Sequence, residues 1–337
     1  MIRAGLIGYG YWGPNLARNL NAHEACVLVR VTDMNDKRRK LVAQNFPAVE
    51  VVEDPAAITQ ATDIDLVVIA TPVFTHHDFA KAALLNGKHV WVEKPMTSNL
   101  DQAKELVDIA AERGLMIMVD HTFLFTGAVE TMRGVIDNDE LGDPYYFDSV
   151  RINLGIFQHD INVIWDLAPH DFSIMDHLIG PNARGVCAHG CDHFGTGLED
   201  MAYVSVFYDN NLMAHFHLNW LSPVKIRRTI IGGSKRMLVW DDLNMDERVK
   251  IYDKGMEVTT QEGMYRVLAT PRIGEMRAPI VPNTEALSAE VGYLMRCLEE
   301  GKQPFNDGQA GLRIVSLLEA TDHSLKQGGK QIALHTG

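Results

Sequence analysis

Two stretches of the chain carry side chains suited to proton chemistry. The first is Gly87-Lys88-His89-Val90-Trp91-Val92-Glu93-Lys94-Pro95. Val90 to Val92 reads as a short buried strand that ends in a charged pair and a proline. A lysine held in a cleft beside a carboxylate can exchange protons or stabilise an oxyanion. Pro95 fixes its own φ and keeps Lys94 out of the helical region, which predicts a stiff bend. The same residues also read as a surface Glu-Lys pair after a strand. The second stretch is Val163-Ile164-Trp165-Asp166-Leu167-Ala168-Pro169-His170-Asp171. Asp166 and His170 are one helical turn apart, so a helix would put them on one face. A carboxylate in reach of an imidazole fixes its tautomer and raises its basicity, which makes His170 a candidate general base. A structural Asp-His contact has the same spacing, and Asp171 and His177 offer rival pairings.

Cys187, His189, Cys191 and His193 alternate like metal ligands. On a strand they would share one face but spread along it, too far apart for one tetrahedral ion. No metal is expected there or elsewhere.

The elements that must hold these groups follow from the pattern. Ile2 to Ile7 is an apolar strand. It runs into Gly8-Tyr9-Gly10-Tyr11-Trp12-Gly13, a G-x-G-x-x-G, with Pro14 suited to a first helical turn. Such glycines permit a tight turn, close approach of backbone to a pyrophosphate, and helix–strand packing. The helix N-terminus offers N–H groups and a favourable dipole to that anion. A second strand, Val27 to Thr32, ends at Asp33, about 20 residues past the motif, where an acidic residue binds the adenosine ribose and repels a 2′-phosphate. NAD is therefore expected over NADP, with Asn35, Lys37, Arg38 and Arg39 close enough to matter. Strand–helix alternation continues to Asp120-His121 and implies a doubly wound parallel sheet with right-handed crossovers. Beyond Phe123 it gives way to a helix, a run of strands and two closing helices, Thr284 to Glu300 and Gly308 to Lys326. That order suggests an α+β domain with a large, mostly antiparallel sheet. The division is expected as 1–122 for the Rossmann domain and 123–337 for substrate binding and oligomerisation.

The 337 residues can bury a large core, and the net charge of −13 argues against nonspecific nucleic-acid binding or a basic membrane surface. No apolar run is long enough for a membrane span, no signal peptide is expected, and four scattered cysteines suggest a reducing, cytoplasmic setting.

In order along the chain stand Gly8-x-Gly10-x-x-Gly13, Thr71-Pro72 followed by His76, Gly87-Lys88-His89-Val90 leading to Glu93-Lys94-Pro95, and Asp166-x-x-x-His170. A tail with Glu290, Gly301, Pro304, Gly311 and Leu318-Glu319-Ala320 follows. Together they resemble the glucose–fructose oxidoreductase/inositol dehydrogenase/MocA-like family of sugar oxidoreductases over nearly the whole chain. The resemblance implies an NAD- or NADP-dependent dehydrogenase that forms a homodimer or homotetramer through its C-terminal sheet. It implies a lysine–aspartate–histidine site at Lys94, Asp166 and His170. It also implies cofactor contacts from Gly8, Gly10, Tyr11, Trp12, Gly13, Asp33, Thr71, Pro72, His76, Glu93, Lys94 and His121. Two departures stand out: Asn162-Val163-Ile164-Trp165 replaces a glycine-rich run, and His121 replaces an asparagine often found after the sixth strand.

Val150 to Gln158 running into Trp165 to Asp171, and Arg272-Ile273-Gly274-Glu275 leading to Asn283 to Leu287, resemble the nucleotide-sugar branch of the family. The expected reaction is oxidation of the C3 hydroxyl of a UDP-N-acetylhexosamine, UDP-GlcNAc or its uronate, for amino-sugar synthesis. Alternatives are a free-sugar or inositol dehydrogenase, a ketosugar reductase, or an NAD-binding sensor without turnover. A diphosphate bound by an acidic protein needs dedicated cations. Arg151 and Arg272, or Arg277, are candidates, and Phe157 could stack on the uracil. With Lys94, Asn153, Trp165 and His170 they make up the expected substrate-binding set.

Overall fold

The computed structural model describes residues 1–155, 160–253, 255–257, 270–272 and 274–334. The chain forms two compact units, Met1–Phe125 with Thr284–Glu319, and Thr126–Asn283 with Ala320–Gly337.

The first unit begins as a doubly wound sheet. Its strands are β1 (Ile2–Ile7), β2 (Cys26–Thr32), β3 (Glu50–Val52), β4 (Leu66–Ile69), β5 (His89–Glu93) and β6 (Ile117–Asp120). All pair in parallel, in the order β3-β2-β1-β4-β5-β6. The order reverses between β1 and β4, and ligands of such sheets lie at that switch, beyond the carboxyl ends of the strands. β4 is buried at every position, as a central strand covered on both faces requires. The crossovers are α1 (Gly13–Ala22), α2 (Asp36–Asn45), α3 (Ala56–Thr59), α4 (His76–Leu85) and α5 (Leu100–Arg113). Asn35 and Asn99 cap α2 and α5 by accepting from the Lys37 and Gln102 N–H groups. Gly114 ends α5 at φ 64°, a left-handed turn that suits glycine.

The second unit contains α6 (Gly127–Asp137), β7 (Pro144–Leu154) and α7 (Val163–Ile179). There follow β8 (Ala183–Cys191), β9 (Met201–Tyr208), β10 (Met213–Asn219), β11 (Leu221–Gly233), β12 (Met237–Asp241) and β13 (Val249–Tyr252). Three short strands, β14 (Gly255–Glu257), β15 (Thr270–Arg272) and β16 (Met276–Arg277), come next, and β17 (Ile332–Ala333) closes the chain. The large sheet runs β16-β13-β12-β11-β7-β10-β9-β8-β17, antiparallel throughout except for the parallel pair β7 and β10. α7 covers one face, with Phe172 edge-on to Phe216 of β10, ring centroids 4.9 Å apart. On the other face of β10, His217 stacks on Tyr203 of β9 at 4.5 Å.

Two helices, α8 (Ala286–Glu300) and α9 (Gly308–Lys326), end the helical part of the chain. Sequence order assigned everything after residue 122 to one domain. Packing instead groups Thr284–Glu319 with the first unit. The reason is the apolar face of α8: Leu287, Val291, Leu294 and Met295 fill the same core as Ala4, Leu6, Leu16 and Leu20. Among the described residues, no helix is long and apolar enough to cross a membrane.

Candidate active site

The dinucleotide turn lies at the switch between β1 and β4. Gly8 has φ +101°, and a Cβ there would sit 2.4 Å from the Ala70 carbonyl oxygen. A Cβ on Gly13 would sit 2.3 Å from the Gly8 carbonyl oxygen. Gly8 is therefore required by space and by conformation, and Gly13 by space. Asp33, at the end of β2, accepts from the Tyr9 N–H and the Asn35 N–H, each at 2.7 Å. The Arg38 guanidinium lies 3.5 Å from the same carboxylate, and a Cβ on Gly10 would face it at 3.4 Å. Arg39 is committed elsewhere, to the Asp33 carbonyl and to Glu53. The turn thus offers open backbone for a pyrophosphate and an anchored carboxylate for a ribose, which fits a dinucleotide.

The Glu93-Lys94-Pro95 bend leaves β5 beside the end of β6. The Lys94–Pro95 peptide bond is cis. Behind the bend sits His76, fully buried, with Nδ1 3.0 Å from the Pro95 carbonyl and Nε2 2.8 Å from the Thr71 carbonyl. Burial lowers its pKa, so the ring is neutral and donates to one carbonyl. Its two nitrogens face backbone, so His76 braces the Thr71-Pro72 turn against the bend. Glu93 is partly exposed, but its Oε1 is buried and without a protein partner. Burial, followed by the nearby Asp120 carboxylate, raises its pKa well above the usual carboxylate range. His121 is 1% exposed, and neither ring nitrogen has a protein partner. Burial takes its pKa down to about 4. A neutral ring there can give one hydrogen bond and take another.

In the second unit, Asp166 and His170 both lie on α7 as their spacing implied. Asn162 caps that helix, its Oδ1 accepting from Ile164 N at 3.2 Å and Trp165 N at 3.1 Å. Asp166 Oδ2 accepts from Trp220 Nε1 at 3.1 Å. The neighbour of His170, Asp171, is held harder still. Arg151 of β7 donates to it through Nε at 2.6 Å and Nη2 at 3.0 Å, and Ser149 Oγ adds a bond at 3.0 Å. The pair is buried, at 4% and 2% side-chain exposure. α7 is thereby clamped to the sheet on either side of His170.

Several expected substrate residues have other tasks. Arg151 spends its guanidinium on Asp171, because a buried carboxylate needs a partner of opposite charge. Arg272 pairs with Asp253 and donates to the Lys235 carbonyl, and Arg277 pairs with Glu140. The buried Trp165 donates its indole N–H to Asp322 at 2.7 Å. Asn153 is partly exposed on β7. Phe157 and Ile273 lie outside the described residues. Sequence reasoning gave no site role to Trp220, Asp322 or the buried polar residues Asp120, Glu290 and Asn306. The only local signal among these was Glu290, an acid amid the apolar face of α8. Among the described residues no group of three His, Cys, Asp or Glu side chains could hold a metal ion.

The comparisons with known proteins run the same way. Residues 2–121 match the oxidoreductase family with an NAD-binding Rossmann fold, and residues 129–239 match the GFO/IDH/MocA C-terminal domain. An uncharacterised oxidoreductase of Escherichia coli, YdgJ, is 35% identical over 96% of each chain. The scyllo-inositol 2-dehydrogenase (NAD+) of Bacillus subtilis is 28% identical over 68% of this chain and 71% of its own. The UDP-N-acetylglucosamine 3-dehydrogenase of Acidithiobacillus ferrooxidans is 28% identical over 94% of each. Its solved structure superposes with a TM-score of 0.83 at 25% identity, covering 97% of this chain and 98% of that one. With a glycine turn shaped for a dinucleotide, a Glu-Lys-Pro bend beyond β5 and both family domains in order, this chain belongs to the GFO/IDH/MocA family of NAD-binding oxidoreductases.

Proposed function

We propose that this protein oxidises a secondary hydroxyl of a sugar, and that the sugar is a nucleotide-linked N-acetylhexosamine oxidised at C3. The observation that carries the reading is the end-to-end likeness, in sequence and in fold, to an enzyme of that activity. NAD, when bound, supplies the hydride acceptor. His170 takes the proton of the reacting hydroxyl, and Asp166, fixed by Trp220, orients it. Lys94 donates a hydrogen bond to the same oxygen and offsets its developing negative charge. Glu93 and His121 contact the cofactor, which gives their unpartnered polar atoms hydrogen bonds. Asp33 favours NAD over NADP. The half-exposed face with Tyr203, His215 and His217 supports pairing of copies of the chain, which light scattering would test.

A second reading, a free-sugar or cyclitol dehydrogenase, has an observation in its favour. Arg151, Arg272 and Arg277, the cations expected to take a diphosphate, are already paired with carboxylates. Offering UDP-N-acetylglucosamine, its uronate, free N-acetylglucosamine and scyllo-inositol at equal concentration with NAD separates the two. Preference for the UDP-sugars supports the first reading, and equal or better turnover of the free compounds supports the second.

A further inference from the structure

Beneath the Glu-Lys-Pro bend, the first unit buries three carboxyl groups together. Glu93 and Asp120 are register neighbours across β5 and β6. Glu290 reaches them from α8 and is 0% exposed. The Asp120 carboxyl lies close enough to both glutamates to act on each of them directly. Its oxygens also accept from two neutral donors, Trp12 Nε1 at 2.9 Å and Thr122 Oγ1 at 2.5 Å. Asn306, 0% exposed, donates to the Val119 carbonyl at 2.8 Å and to Glu290 Oε1 at 3.4 Å. Glu290 Oε2 is left without a donor. Two ionised carboxylates cannot bond to each other, so contact between them in a buried place requires a proton.

We propose that Glu290 is a positioning residue for the cofactor: it holds a proton, donates it to Asp120, and Asp120 so fixed anchors Trp12 in the glycine-rich turn. Trp12 is the residue before the first turn of α1, so its indole bond ties the phosphate-binding loop to the end of β6. Burial, with Asp120 and then Glu93 adding to it, pushes the Glu290 carboxyl well above the usual range. The groups facing it are Glu93 from the end of β5 and Asp120 and the His121 backbone from the end of β6. His121 is neutral above about pH 4 and adds no charge. Glu93 is raised by the same cluster and titrates with it. Once Glu290 ionises it stops donating and repels Asp120, and the anchor on Trp12 weakens. The proposal rests on NAD binding by the first unit and is independent of which sugar is oxidised.

The test is the NAD dissociation constant, by protein fluorescence without substrate, for wild type and Glu290→Gln between pH 6 and pH 9. Glutamine keeps a donor and cannot ionise. Wild type should lose about tenfold in affinity across that range, the worth of a hydrogen bond to a charged group. Glu290→Gln should match wild type at pH 6 and change less than about threefold, the rest being due to Glu93. Glu290→Leu, which has no donor, should bind weakly at every pH. The same proton appears in stability. The native state holds it where the unfolded chain has released it, so wild type loses stability as pH rises above the ordinary glutamate range. Glu290→Gln should therefore gain on wild type in urea midpoint between pH 5 and pH 8. Parallel pH profiles for wild type and Glu290→Gln, in affinity or in midpoint, would overturn the proposal, as would wild-type NAD affinity in Glu290→Leu at pH 6.

Discussion

The cofactor side and the candidate substrate side treat their polar side chains differently. In the first unit, buried polar atoms of Glu93 and His121 have no protein partner, and glycines leave space that any side chain would fill. In the second, Arg151, Trp165 and Arg272 each bond to a carboxylate of the same unit. A buried polar atom without a partner costs stability, so a site that keeps several is shaped for something that supplies the missing bonds. A paired arginine has no such gap. The contrast teaches that Arg151, read from the sequence as a grip on a diphosphate, ties α7 to β7 through Asp171, while Arg272 and Arg277 pair with Asp253 and Glu140.

The contrast breaks most visibly at Lys94. Lys94→Met should lower hydride transfer by about 10²–10⁴-fold and leave the NAD dissociation constant within about threefold of wild type. Single-turnover rates and NAD titration check the two halves of that statement, and His170→Asn should show the same split. Turnover at the wild-type level in either variant would remove it from the chemistry.

Next in size is the tie between Arg151 and Asp171. Arg151→Met takes from the buried Asp171 carboxylate its bidentate partner and should cost about 3–5 kcal/mol in urea unfolding. Arg151→Met combined with Asp171→Leu should recover much of that loss, since the stranded charge is gone. Were Arg151 a diphosphate ligand instead, the single change would spare stability and raise the KM for UDP-sugars alone.

The smallest effect concerns the adenosine end. Asp33→Ser removes the charge that repels a 2′-phosphate while Arg38, 3.5 Å from it, remains. The ratio of NAD to NADP affinity should fall by about tenfold, measured by titrating both cofactors. NADP binding as tight as NAD in the unaltered protein would contradict the preference.

Local features were legible in the sequence. The glycine spacing, the strand–helix alternation and the position of α9 need only neighbouring residues, and the structure places them where the pattern did. The helical phase of Asp166 and His170 was equally readable. Trp220, between β10 and β11, donates its N–H to the Asp200 carbonyl and turns its ring to Asp166. The register of β11 on β7 is irregular between Leu221 and Ile226, which no local pattern marks. Partnerships across the chain were not legible. Trp165 meets Asp322 over 157 residues, and Glu290 reaches Asp120 only because α8 folds back onto the first unit. Charge and spacing mark such residues as polar; only packing decides whether an arginine faces a ligand or an aspartate.

The central claim, a dehydrogenase acting on a nucleotide-linked N-acetylhexosamine through Lys94 and His170, is met most directly by one measurement. NADH fluorescence is followed with UDP-N-acetylglucosamine, free N-acetylglucosamine and scyllo-inositol at equal concentration, in wild type and in Lys94→Met. Wild type should form NADH fastest with the UDP-sugar, and Lys94→Met should form almost none while still binding NAD. Equal kcat/KM for the free compounds, or undiminished NADH formation in Lys94→Met, would contradict the account.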